Sequence, residues 1–121
     1  MRPAVSVARG AGAAQSGAMS AHNELLAAAD TASELGGTAF THVPGRLRAH
    51  YATADFAAAV GLLDSVATVA DELNHHPDVS LGYGRIEFEL SSHDAGGVTS
   101  RDVALALRIQ ALADAAGASA A

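Results

Sequence analysis

Residues 54–73 place the strongest constraint on the fold. This stretch has no proline and one glycine, Gly61, and its apolar positions recur at helical spacing. Phe56, Val60, Leu63, Ala67 and Ala70 follow one another at 4-3-4-3 intervals, a stripe of the kind that turns toward a core. A second stripe, Leu62, Val66, Val69 and Leu73, lies about 100° around the same helix. A helix apolar over so wide an arc needs cover on two sides. The first stripe is expected to face a sheet. The second is a candidate contact between subunits, the alternative being the first or last helix of the same chain. Thr53 or Asp55 can cap the start. The pattern stops at Asn74-His75-His76-Pro77, where proline pushes the residue before it into extended geometry.

Short strands flank this helix in pairs. Upstream, Thr38 to Val43 ends at the turn dipeptide Pro44-Gly45. Arg46 to Ala52 then alternates Arg46, Arg48 and His50 with Leu47, Ala49 and Tyr51. Downstream, Val79, Leu81 and Tyr83 alternate with Ser80 and Gly82, and Ile86, Phe88 and Leu90 alternate with Arg85, Glu87 and Glu89. Tyr83-Gly84 suits a tight hairpin, with Gly84 free to take positive φ. A helix over 22–34 opens the set, with Leu25, Leu26 and Ala29 on one face and Gly36-Gly37 behind it. After a loop over 91–98, a last helix starts at Thr99. Thr99 and Asp102 are spaced as a capping box, and Leu105, Ile109, Leu112 and Ala116 form its apolar stripe. The order is α-β-β-α-β-β-α. It predicts the α+β class: a four-stranded antiparallel sheet with helices packed on one face.

Composition narrows the chemistry. With no cysteine, thiol catalysis and disulfides are excluded; with no lysine, so is Schiff-base chemistry. A formal charge of −6 argues against direct nucleic-acid binding. No run of about 20 apolar residues is present, so a soluble, cytoplasmic protein without a membrane segment is expected. Residues 1–20 carry two arginines, no acid and little beyond Ala, Gly and Ser. They read as a disordered extension, or as an upstream start assigned in error with Met19 the true one; the apolar core of a secretory signal is missing. The folded domain is expected over 21–118.

Of the six histidines, His75, His76 and His93 sit at element ends, where functional side chains are often mounted on a rigid scaffold. Imidazoles titrate near neutrality and suit general acid–base work. The plainer alternative is that His75 and His76 complement a helix C-terminus and His93-Asp94 is a turn. Metal binding is disfavoured, because the helical i, i+4 histidine pair is absent.

The stretch Asp71-Glu72-Leu73-Asn74-His75-His76-Pro77, followed by Tyr83, Ser92-His93-Asp94, Gly96-Gly97-Val98-Thr99 and Asp102, resembles the pterin-4a-carbinolamine dehydratases. Five residues separate Pro77 from Tyr83, nine separate Tyr83 from His93, and eight separate His93 from Asp102, in keeping with the family pattern. A weaker likeness runs upstream through Leu47 to Phe56, so that residues 22–116 are covered.

The resemblance implies dehydration of 4a-hydroxytetrahydrobiopterin to quinonoid dihydropterin, with no metal or organic cofactor. His75, His76 and His93 are implied as catalytic, and Asp71, Pro77, Tyr83, Asp94 and Asp102 as substrate-binding or supporting. It also implies a homodimer or homotetramer. A non-catalytic role on the same scaffold, as a transcription coactivator or a Rubisco assembly factor, is the alternative. Three departures stand out. Asp78-Val79 replace an aromatic after His-His-Pro, Phe40 is the nearest aromatic where the family has a tryptophan, and Asp71 is one methylene shorter than the usual glutamate.

Overall fold

A computed structural model describes residues 23–121. The expectations for residues 1–20, and His22, lie outside the described residues. In chain order the elements are α1 (Ala28–Leu35), β1 (Thr41–Val43), β2 (Arg46–Ala52), α2 (Phe56–Leu73), β3 (Asp78–Gly82), β4 (Arg85–Leu90), α3 (Ser100–Ala115) and β5 (Ser119–Ala120). This is the expected α+β order with a short fifth strand added. The sheet runs β1-β2-β4-β3, and β5 pairs with β2 at Tyr51 and Ala52, beyond the end of β1. Every pairing is antiparallel.

Alternation along β2 and β4 decides which face is covered. Leu47, Ala49 and Tyr51 lie opposite Leu90, Phe88 and Ile86, and all six are buried. On the other face Arg46 pairs with Glu89 at 3.3 Å, and His50 with Glu87 at 2.8 Å. A face made of alternating charges stays in water, so the helices pack on the apolar side alone. The Tyr51 hydroxyl reaches into that core and donates to Gln110 Oε1 at 2.6 Å. Burial, and secondarily Asp114, raise its pKa, so it stays a donor.

Several sequence expectations change. The strand expected over Thr38 to Val43 begins only at Thr41, and Ala116, expected in the apolar stripe of the last helix, is exposed as its C-cap. Of the helix expected over 22–34, the span Ala28–Leu35 is helical; residues 24–27 before it have no regular structure, and the buried residues of α1 are Thr31 and Leu35. Leu25 is 54% exposed, and Ala29 is also on the surface. The apolar arc of α2 is also turned differently from the expectation. Leu62, Val66 and Val69, with Ala59 and Ala70, face the core, whereas Phe56 and Val60 are 50% and 43% exposed. Asp55 is the cap, accepting the Ala58 N–H at 2.8 Å. Periodicity measures how wide the apolar arc is; which edge of it is buried is decided by the elements that pack against the helix.

Among the described residues no helix is long and apolar enough to cross a membrane. Leu62→Ala should lower unfolding free energy by about 2–5 kcal/mol, as for other buried leucines. Val60→Ala should cost less than half as much. Urea denaturation at one fixed protein concentration reads both values, and equal losses would overturn the assignment of the stripes.

Candidate active site

The end of α2 delivers the two adjacent histidines. Asn74 takes the left-handed conformation, φ 51°, which asparagine tolerates better than most residues. Its N–H and that of His75 then close on Ala70 O and neighbouring carbonyls, stopping the helix. Residues 75–77, without regular structure, lead into β3. Because Asp78 of β3 pairs with Glu89 of β4, the exit from α2 and the exit from β4 lie at the same end of the sheet. The turn 92–97 continues from β4, closed by the Ser92 N–H donating to Gly97 O at 2.8 Å and the Gly96 N–H to Ser92 O at 2.9 Å. His93 is exposed on this turn.

Asp102, in the first turn of α3, is fully buried and joins these pieces. Its Oδ1 lies 2.6 Å from His75 Nε2. Its Oδ2 accepts from the Ser92 hydroxyl at 2.8 Å and from the Thr99 N–H at 2.9 Å. A carboxylate only accepts, so each partner must donate. The Ser92 proton therefore points at Asp102. The Thr99 hydroxyl, 2.8 Å from Ser92 Oγ, donates to it in turn. The same logic puts a proton on His75 Nε2 and leaves Nδ1 as the nitrogen available for exchange. The His75 side chain is only 11% exposed.

His76 and Asp71 make a second pair, at 3.0 Å, with 57% and 78% of their side chains exposed. Such an exposed pair orients loosely and contributes little to stability. Asp94 is held by Arg101 Nη2 at 2.9 Å. That hydrogen bond, opposed by desolvation, keeps the Asp94 carboxyl below its ordinary range. The pair is therefore intact at neutral pH and is lost only as pH falls through that lowered value.

The profile of the family described as Pterin 4 alpha carbinolamine dehydratase matches residues 24–112. This chain belongs to that family. A Solibacter usitatus relative with a provisional dehydratase name is 42% identical over 76 residues, which is 63% of this chain and 80% of that protein. A Burkholderia multivorans relative with the same name is 47% identical over 73 residues, covering 59% and 72% of the two chains. A crystal structure from Brucella melitensis, titled a transcriptional coactivator/pterin dehydratase, aligns at TM-score 0.69 and 26% identity, covering 74% of this chain and 99% of that one. A pterin dehydratase-like protein identified as a RuBisCO assembly factor in the alpha-carboxysome shares the fold at TM-score 0.52 and 23% identity, over 66% and 93% of the chains.

Of the dehydratase-pattern residues, His75, His76, Pro77, His93, Asp94, Asp71 and Asp102 gather at this one end. Tyr83 does not. It is 77% exposed at the far tip of the β3–β4 hairpin, roughly 17 Å along the strand from Asp78 at about 3.3 Å per residue. His42 and His50 also lie elsewhere, on Thr31 Oγ1 and Glu87 respectively. Asp102, expected from the sequence as part of a capping box, caps α3 through Oδ2 and holds the His75 imidazole through Oδ1. Sequence reasoning assigns no part to Ser92 or Arg101. Ser92 stands inside the Ser92-His93-Asp94 stretch of the family pattern, where only the histidine and the aspartate receive roles.

Asp102→Asn tests the proton assignment. The amide oxygen can still accept the Thr99 N–H, but its NH₂ then faces His75 Nε2. The imidazole should switch, leaving Nε2 unprotonated, and ¹⁵N shifts of the His75 ring read this directly. An unchanged tautomer would contradict the hydrogen-bond directions given above.

Proposed function

We propose that this protein dehydrates a 4a-hydroxytetrahydropterin to the quinonoid dihydropterin, returning oxidised tetrahydrobiopterin to its cycle. The observation that carries this is His75 anchored on a fully buried carboxylate beside two solvent-facing imidazoles, His76 and His93. In the reaction the C4a–O bond breaks and the oxygen leaves as water with a proton from an imidazolium. The N5 proton passes to a base and N5–C4a becomes a double bond. One acid and one base suffice, and the scheme uses no metal or organic cofactor.

His75 and His93 act as the acid pair at the 4a-hydroxyl. His75 works through Nδ1, since Nε2 is engaged by Asp102. His76 binds the pterin and takes the N5 proton, loosely oriented by Asp71. Pro77 and Asp94 shape the rim. The reading as a binding protein without catalysis draws on the titles of the two solved neighbours. Against it, His76 and His93 are exposed imidazoles that satisfy no buried charge, and a scaffold alone has no need of them. The double variant His75→Ala/His93→Ala should lose at least about 10²-fold in turnover of freshly generated 4a-hydroxypterin, the lower end for general acid–base catalysis. Wild-type protein that does not accelerate the dehydration would end this proposal.

We further propose a homodimer or homotetramer. The contact is the face of α2 bearing Phe56 and Val60, together with the exposed Leu107 of α3. Light scattering at micromolar concentration should give at least twice the chain mass of 12.1 kDa. Val60→Glu should dissociate the assembly while leaving the fold intact, because a buried unpaired charge is strongly unfavourable. A monomeric wild type would refute the proposal.

A further inference from the structure

The turn that carries His93 is gripped from two sides. On its inner side Ser92 is buried and fixed by Asp102 and Thr99. On its outer side runs the segment before α1. The Leu26 N–H donates to Val98 O at 2.9 Å. Leu25 lies over Gly97: its Cδ2 is 3.2 Å from where a β-carbon on Gly97 would stand. Gly97 is buried although it has no side chain, while Leu25 itself remains 54% exposed. An exposed leucine spent on covering one glycine indicates that the cover has a use. Finally, a single guanidinium nitrogen, Arg101 Nη2, donates to Asn23 Oδ1 at 3.3 Å and to Asp94 Oδ1 at 2.9 Å. It ties the segment to the residue next to His93.

We propose that residues 23–27 form a brace, with Arg101 as its clasp, that positions the His93 turn for the dehydration. The inference rests on the function proposed above. In this scheme Arg101 and Leu25 act on the turn and not on the pterin; they are positioning residues. The physical reason for such a brace is the exposure of His93. A surface imidazole on a glycine-containing turn samples many placements, and a displacement of about 1 Å at a reacting group can cost up to about 10²-fold in rate. The buried hydroxyls fix only one side of the turn. The brace closes the other with one backbone hydrogen bond, one apolar cover and one bridging arginine.

The test uses the full chain with two separate variants, Leu25→Ala and Arg101→Gln, and Arg101→Lys as the conservative control. Amide hydrogen exchange at Ser92 and Gly96, whose N–H groups close the turn, should speed up by about tenfold in Leu25→Ala and Arg101→Gln. Exchange at Leu105 and Ile109 in α3 should not change. With 4a-hydroxypterin, kcat should fall by about tenfold while KM stays within about twofold, as expected when orientation rather than binding is lost. Arg101→Lys should recover part of both effects. Unchanged exchange at Ser92 and Gly96 would overturn the brace, whatever the activity. Faster exchange with unchanged kcat would overturn its positioning role. A wild type inactive on 4a-hydroxypterin would count against the proposed function, and the exchange measurement would still decide whether the brace exists.

Discussion

One buried carboxylate organises the functional end of this molecule. Asp102 has no solvent to share its charge, so it depends entirely on the His75 imidazole, the Ser92 hydroxyl and the Thr99 N–H. Those three donors come from the end of α2, the turn after β4 and the start of α3. Removing any one leaves an anion in the interior short of a partner, a penalty of about 1–3 kcal/mol or more. The need to satisfy a single charge thereby locks three segments into one arrangement. A capping interaction, usually a local matter of helix starts, becomes here the support of the His75 imidazole.

The sheet determines where those segments meet. Antiparallel pairing of β3 with β4 brings the beginning of one strand to the end of the other, so Pro77 and Ser92 emerge side by side. Helices cover only one face because Arg46, Arg48, His50, Glu87 and Glu89 alternate with the core residues and pair with one another across the strands. The site therefore sits at a rim, with a rigid layer behind it and water in front. That suits a reaction in which a hydroxyl leaves as water and protons are exchanged. The same geometry keeps Tyr83 away, since a hairpin tip and its open end cannot coincide within one chain.

Much of the fold was legible because its signals are local. Caps at Asp55 and Thr99, turns at Gly45 and Gly84, and period-two alternation over Arg85–Leu90 each depend on a few neighbouring residues. The errors have one cause. Both stripes of α2 satisfy helical periodicity, and nothing in the helix itself says which meets the sheet. Likewise Leu25 has the composition of a helix face, but it lies before α1, in a segment tied by the Leu26 N–H to Val98 O, a partner about seventy positions away. The two-residue β5 carries no periodic signal and exists only because β2 has an unpaired edge beside it.

The sequence by itself determined the order of elements, their caps, and the spacing of His75, His76, His93 and Asp102 that marks the dehydratase family. Local propensity and motif spacing are properties of the chain and need no fold to be read. It left open which acid serves which imidazole. Asp71 is four residues from His75 and five from His76, and Asp102 is 27 residues beyond His75. By proximity along the chain Asp71 is the natural partner of either. Only packing of α3 against the end of α2 brings Asp102 to His75 inside the protein and leaves Asp71 with His76 in water. Burial then makes the two pairs different in kind, because a charge-assisted hydrogen bond screened by solvent orients weakly, and one sealed from it orients firmly.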